Sequence, residues 1–466
     1  MQETSMIDLP AFPSRRRWLR SATQGFGGLA LAAMLGENAP AAGRSSPFAP
    51  KRPHFPARAK RVIFLCMKGG PSHMDLFDHK PRLRADDGKP FDDEGKLTYR
   101  GTLWEFSRHG DAGLWFTELL PGLASRADDL CMLHGVFSDN PEHAQALDLL
   151  FTGSFQFVRP SMGSWVLYGL GAENRDLPGF VAINPPHVLG GAKYYGSAFL
   201  PAAYQGAPIG ELNRSLKDAR LTNVAHPRLD RAGQRTRLDL LQSLNRDTLA
   251  GQAGAEDEIE GVIESFELGF RMQEALPSVM DISGESSGTL DLYGIGAGQS
   301  DGFGRQCLLA RRLAEAGVRF IQLTDDGWDH HGGLATGIPN RCAAIDRPIA
   351  GLLTDLRQRG LLEDTLVVWG GEFGRTAEDG TRDGRGHNAK GFTMWLAGGG
   401  VKAGFRHGAT DDHGREAVEG KVHIHDLHAT ILHLLGLDHE SLTYPWAGRD
   451  FRLTDIHGRV VTEVLA

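Results

Sequence analysis

The chain has 466 residues, 41% of them hydrophobic, with 60 glycines, 4 cysteines and a formal net charge of −8. That is apolar material for one large domain or two, and a nucleic-acid binder is excluded because the basic clusters are confined to the first 61 residues. No run of about 20 apolar residues occurs, so no permanent membrane span is expected; the four cysteines lack metal-type spacing, and Cys66 and Cys131 read as buried free thiols in strand-like runs.

The chain opens with Ser14-Arg15-Arg16-Arg17-Trp18-Leu19-Arg20, then a mildly apolar stretch over 22–36, then the small residues Ala39-Pro40-Ala41. Basic, apolar and small-residue regions in that order form a cleaved signal, and the paired arginines resemble the twin-arginine type. Residues 1–41 are therefore read as an export signal, the export machinery as a partner, and the periplasm or cell surface as the destination. Residues 42–60 read as a linker and 61–466 as the domain.

Residues 61–67 form a continuous apolar run, as in a strand buried on both faces. They end in the turn-rich Lys68-Gly69-Gly70-Pro71-Ser72-His73-Met74-Asp75. A second strand over 130–136 leads through 138–142 to His143 and a helical segment ending at Gly153. Residues 233–277 have apolar positions at helical spacing and many charges, and read as a helical insertion. Helices over 306–316, 345–359 and 427–435, each followed by glycine, then alternate with strands over 318–323, 365–369 and 392–397. That alternation predicts an α/β fold with a doubly wound, mostly parallel sheet and helices on both faces. Ligands of such sheets bind beyond the carboxyl ends of the strands.

Three strand ends carry candidate chemistry. Asp325-Asp326-Gly327-Trp328-Asp329-His330-His331 follows one strand, and residues two apart in extended chain point the same way, so Asp329 and His331 can converge. Glu372 and Arg375 lie in Gly370-Gly371-Glu372-Phe373-Gly374-Arg375-Thr376 after the next. Gly384-Arg385-Gly386-His387-Asn388 leads into the strand over 392–397. Carboxylates and imidazoles drawn from separate strand ends suit an open metal site. A mixed nitrogen and oxygen set favours zinc, manganese or iron over calcium. Asp329, His331, Glu372 and His387 are the candidate ligands, and His143 and Arg375 the candidate catalytic residues. His73, Asp75, Asn388, His425 and His428 are candidates for substrate contact or for support of the ligands. His73 and Asp75 can equally stabilise a turn, and Asp426 reads as a helix N-cap.

The chain resembles the bacterial family called domain of unknown function 1501, a distant branch of the alkaline phosphatase/sulfatase superfamily. The resemblance rests on Gly69-Gly70-Pro71-Ser72-His73, Arg159-Pro160-Ser161-Met162-Gly163-Ser164-Trp165, Leu177-Pro178-Gly179-Phe180-Val181, Gly327-Trp328-Asp329, Glu372-Phe373-Gly374-Arg375-Thr376 and Asp426-Leu427-His428-Ala429-Thr430. It implies an alkaline phosphatase-like fold and metal-dependent hydrolysis of a phosphate or sulfate ester, small or glycan-linked. It also implies that Asp329 and His331 are the superfamily's metal pair, Glu372 its next carboxylate and His387 its late histidine. Sulfatases carry their nucleophile in Cys/Ser-x-Pro-x-Arg-x-x-x-x-Thr-Gly. Counting back from Thr152-Gly153 places His143 at the nucleophile, with Gln145 and Leu147 at the proline and arginine. A formylglycine mechanism is therefore not expected, and the alternatives are a non-catalytic metal- or glycan-binding member of the fold or an assembly factor.

Overall fold

In the computed structural model, which describes residues 46, 48–187, 189–218, 228–251, 256–380 and 383–466, nine strands form one sheet. The expected export signal, 1–41, lies outside the described residues. The strands are β1 Arg61–Met67, β2 Leu130–Phe137, β3 Phe180–Ile183, β4 Ala207–Ile209, β5 Phe320–Asp325, β6 Thr365–Gly370, β7 Phe392–Ala397, β8 Phe405–His407 and β9 Val422–His423. Their order is β8-β2-β7-β6-β1-β5-β3-β4, with β9 also beside β2. Only β7 runs against its neighbours, β2 and β6.

Strand periodicity explains the two faces. In β1, Ile63, Leu65 and Met67 join a core with Cys307 and Leu308 of α5 (Asp301–Glu315) and Ile345 and Leu352 of α6 (Leu334–Gln358). The alternate residues Val62, Phe64 and Cys66 face Leu147 of α1 (His143–Thr152), Trp165 of α2 (Met162–Leu170) and Ile431 of α7 (Ile424–Leu434). A continuous apolar run is what such two-sided burial requires. All four cysteines are buried and free.

The insertion expected over 233–277 is a pair of helices, α3 (Arg231–Gly251) and α4 (Glu256–Met280), tied by two Arg235–Glu267 hydrogen bonds of 2.7 Å. No described helix is long and apolar enough to cross a membrane. Residues 48–60 run along the domain: Arg58 and Ala59 N–H both donate to Leu434 O at 2.8 Å.

Several boundaries differ from expectation. The strand expected over 318–323 lies at Phe320–Asp325, so Asp325 closes the strand rather than opening the loop. The helix expected over 345–359 begins eleven residues earlier, at Leu334, and carries Pro339 and Pro348 inside it. Proline argues against a helix interior, but here buried Ile338 and Cys342 anchor the first half in the core.

One topological consequence assembles the site. β6, β1 and β5 are adjacent and parallel, so their carboxyl ends share one edge of the sheet. Antiparallel β7 separates β2 from β6, which makes β2 point the same way and brings the amino end of β7 to that edge. Segments 68–75, 138–143, 326–331, 371–375 and 384–388 therefore meet there.

Candidate metal site

His143 is the first residue of α1, and Gly153, at φ 70°, ends that helix in the left-handed conformation. Its Cβ position would lie 2.0 Å from Leu453 O, so no other residue fits. His143 Nδ1 lies 2.6 Å from Glu372 Oε1, and its Nε2 lies 3.2 Å from Asp329 Oδ2. On the other side of Asp329, Oδ1 is 3.3 Å from His387 Nε2 and 3.1 Å from His331 Nε2. The two latter rings meet with Nε2 atoms 2.8 Å apart. His387 Nδ1 lies 2.6 Å from Pro141 O, which accepts its proton.

Ligand atoms of His143, Asp329 and His387 all lie within 4.8 Å of one another. Both Nδ1 atoms face acceptors, which leaves the Nε2 atoms turned inward, the arrangement typical of metal-bound imidazoles. Asp329 is 41% exposed in its side chain, and His143 and His387 are 18% and 16% exposed, so the cluster is open on one side. His331 is 56% exposed and stands at the mouth. The donors thus fit a divalent ion.

The electrostatics agree. Burial pushes the Asp329 carboxyl up, but hydrogen bonds from His143, His387 and Arg375 hold it well below the usual carboxylate range. Burial pulls His143 down, yet hydrogen bonds to Asp329 and Glu372 and their two charges lift it to about 9. The two carboxylates that raise His143 also make this point favourable for another cation. Burial lowers His331, aided by the Arg375 charge.

Arg375 plays a different part from the catalytic one expected. It is 1% exposed, and its N–H groups go to Gly70 O (2.8 Å), Arg385 O (3.2 Å), Gly69 O, Trp328 O (3.4 Å) and Asp329 Oδ1 (2.6 Å). A guanidinium so committed cannot turn to a substrate; it pins three loops and one oxygen of Asp329. Gly69, at φ 115°, permits this packing, since a Cβ there would lie 2.6 Å from Asp329 N.

The supporting candidates separate from the cluster. Asp75 is fully buried on Arg385, with Nε 2.7 Å from Oδ2 and Nη2 3.1 Å from Oδ1. His73 Nε2 is 2.7 Å from Gly414 O, and Asn388 Nδ2 donates to Arg415 O at 2.9 Å and Gly391 O at 3.1 Å, so both hold the loop over 411–416. His425 and His428 reach Gly153 O (2.9 Å) and Leu150 O (2.8 Å), at the far end of α1 from His143. Burial holds His428 down at about 3, a neutral structural ring. Asp426 is not the N-cap: His423 is, with Asp426 at the third helical position completing a capping box. That reciprocity places the acid inside the helix, where a rule ranking aspartate first as a cap misassigns it.

Sequence reasoning overlooked Arg385, Pro141 and the Gly69 amide. Arg385 was visible only as a neighbour of His387, and backbone acceptors leave no signal in a sequence.

The family model described as "Protein of unknown function (DUF1501)" matches residues 59–465. No curated protein matches the chain. Solved structures similar to it include the PsFucS1 sulfatase from Pseudoalteromonas sp., at 12% identity over 88% of this chain and 72% of that one, with a TM-score of 0.39. The lipoteichoic acid synthase LtaP from Listeria monocytogenes is 10% identical over 88% and 78%, with a TM-score of 0.37. Alkaline phosphatase from the Antarctic bacterium TAB5 is 11% identical over 82% and 99%, with a TM-score of 0.33. At these distances the chemistry of the site stands on its own residues.

Proposed function

The chain belongs to the DUF1501 family, and from that premise we propose that it is an exported metal-dependent hydrolase of an anionic phosphate or sulfate ester, small or glycan-linked. The observation that carries the reading is the convergence of His143, Asp329 and His387 on one partly open point. His143 Nε2, His387 Nε2 and Asp329 Oδ2 would hold the ion, with zinc, manganese or iron preferred over calcium because two of the three donors are imidazoles. When bound, a divalent ion supplies Lewis acidity toward an ester oxygen and lowers the pKa of water.

The chain's own residues supply the rest. The amino end of α1, with free backbone N–H groups beside His143, favours an anionic substrate. Buried Arg375 fixes the Asp329 carboxylate, so its geometry does not depend on substrate. His331, exposed at the mouth and favoured in its neutral form, has room to take a proton from the attacking water. Attack is by water, since His143 occupies the place where the superfamily motif carries a hydroxyl or thiol.

The test is turnover of nitrophenyl phosphate and nitrophenyl sulfate by protein loaded with each of the three metals. Hydrolysis of either, reduced about 100-fold or more in His331→Ala with metal retained, is the expected result. Stoichiometric metal with neither ester hydrolysed would overturn catalysis and leave a non-catalytic metal- or glycan-binding protein. The missing side-chain nucleophile is the observation that favours that second reading.

Export rests on Arg15 and Arg16. Replacing both by lysine keeps the charge but removes the receptor-read pair, so precursor is expected to accumulate in the cytoplasm. Normal export of the double variant would show another route.

A further inference from the structure

Glu372 was expected to bind the ion itself. We infer instead that Glu372 is a positioning residue, a buried carboxylate that fixes the His143 ring from behind; the inference rests on the metal-site reading above.

Glu372 is 0% exposed, and its Oε1 accepts from both His143 Nδ1 (2.6 Å) and Gly69 N–H (2.9 Å), while Oε2 takes the same amide at 3.2 Å. Nδ1 and Nε2 lie on different edges of an imidazole, so a carboxylate on Nδ1 stands away from the point that Nε2 faces. Glu372 accordingly contributes no atom to the set within 4.8 Å of one another, which comprises His143, Asp329 and His387. The pairing keeps a proton on Nδ1, so Nε2, on the side of Asp329, is the nitrogen that an ion would take in place of a proton.

The His387 ring has a neutral counterpart, Pro141 O, 2.6 Å from its Nδ1. The two imidazoles are thus oriented by unlike acceptors. The carboxylate makes His143 the more electron-rich donor, as charged partners of metal-bound histidines do. Gly69 links the two layers, since its amide holds Glu372 while the space a Cβ would need there is filled by the Asp329 backbone. Phe373, next in the chain, covers both rings at centroid distances of 4.8 and 4.6 Å.

The test is Glu372→Gln, which keeps shape and removes charge. Zinc affinity is expected to fall about 10- to 100-fold. The visible absorption of the cobalt-substituted protein should keep its band positions, because no ligand is lost. In a His143→Ala background, Glu372→Gln should cause no further loss of affinity, since its effect passes through that ring. Shifted cobalt bands, an additional loss in the His143→Ala background, or unchanged zinc affinity would each overturn the inference. A readout without metal separates its failure from that of the metal site. In nitrogen-labelled ion-free protein the His143 Nδ1–H proton should resonate far downfield, and Glu372→Gln should move it upfield; no such shift would refute the pairing even if the wild-type protein bound no ion.

Discussion

Replacing Arg385 with methionine is expected to destabilise the protein by about 3–5 kcal/mol, because it strands a fully buried carboxylate. Arg385 and Asp75 are both 0% exposed in their side chains. Burial alone would raise the Asp75 carboxyl, and Arg385, with hydrogen bonds from Ser72 and Thr102, holds it below the usual value. Arg385 also donates to Thr376 O at 3.1 Å, and its own amide donates to His330 O at 2.9 Å. The residue therefore joins the loops after β1, β5 and β6. Urea unfolding of Arg385→Met, Asp75→Asn and the double variant measures the effect. The double variant should lose less than the sum of the single ones, since neither then leaves an unpaired charge. A single-variant loss under about 1 kcal/mol would mean that the pair is not what holds the loops.

Asp329→Asn is expected to have the largest effect on the site. One of its oxygens faces His143, and the other takes the Arg375 guanidinium at 2.6 Å. Asparagine preserves the outline but removes the only carboxylate among the three converging residues. Divalent-metal affinity should fall about 100-fold or more, whereas His331→Ala, at an exposed position outside that set, should change it far less. Competition against a chromophoric chelator measures both. Equal losses would make His331 a ligand of the same standing and shift the centre toward the mouth.

The fold was legible where periodicity was long. β1 read as a two-sided run, and the helix-glycine-strand alternation predicted the sheet that β1, β5 and β6 build. The strands Phe180–Ile183, Ala207–Ile209, Phe405–His407 and Val422–His423 were not foreseen, being too short to show a period. The site was legible as a set of strand-end residues, because parallel strands deliver their carboxyl ends to one edge. What could not be read was the division of labour. Arg375 and Glu372 look alike in a sequence, as charged residues after one strand, and only burial and partners make one a clamp and the other a support for His143. His425 and His428 looked like site residues for want of any sign that they face the far end of α1.

Elemental analysis of the protein purified after maturation in metal-replete cells tests the central claim most directly. The account predicts about one divalent transition-metal ion per chain, lost in Asp329→Asn. A wild-type protein without stoichiometric metal, or an Asp329→Asn variant that keeps it, would contradict the account.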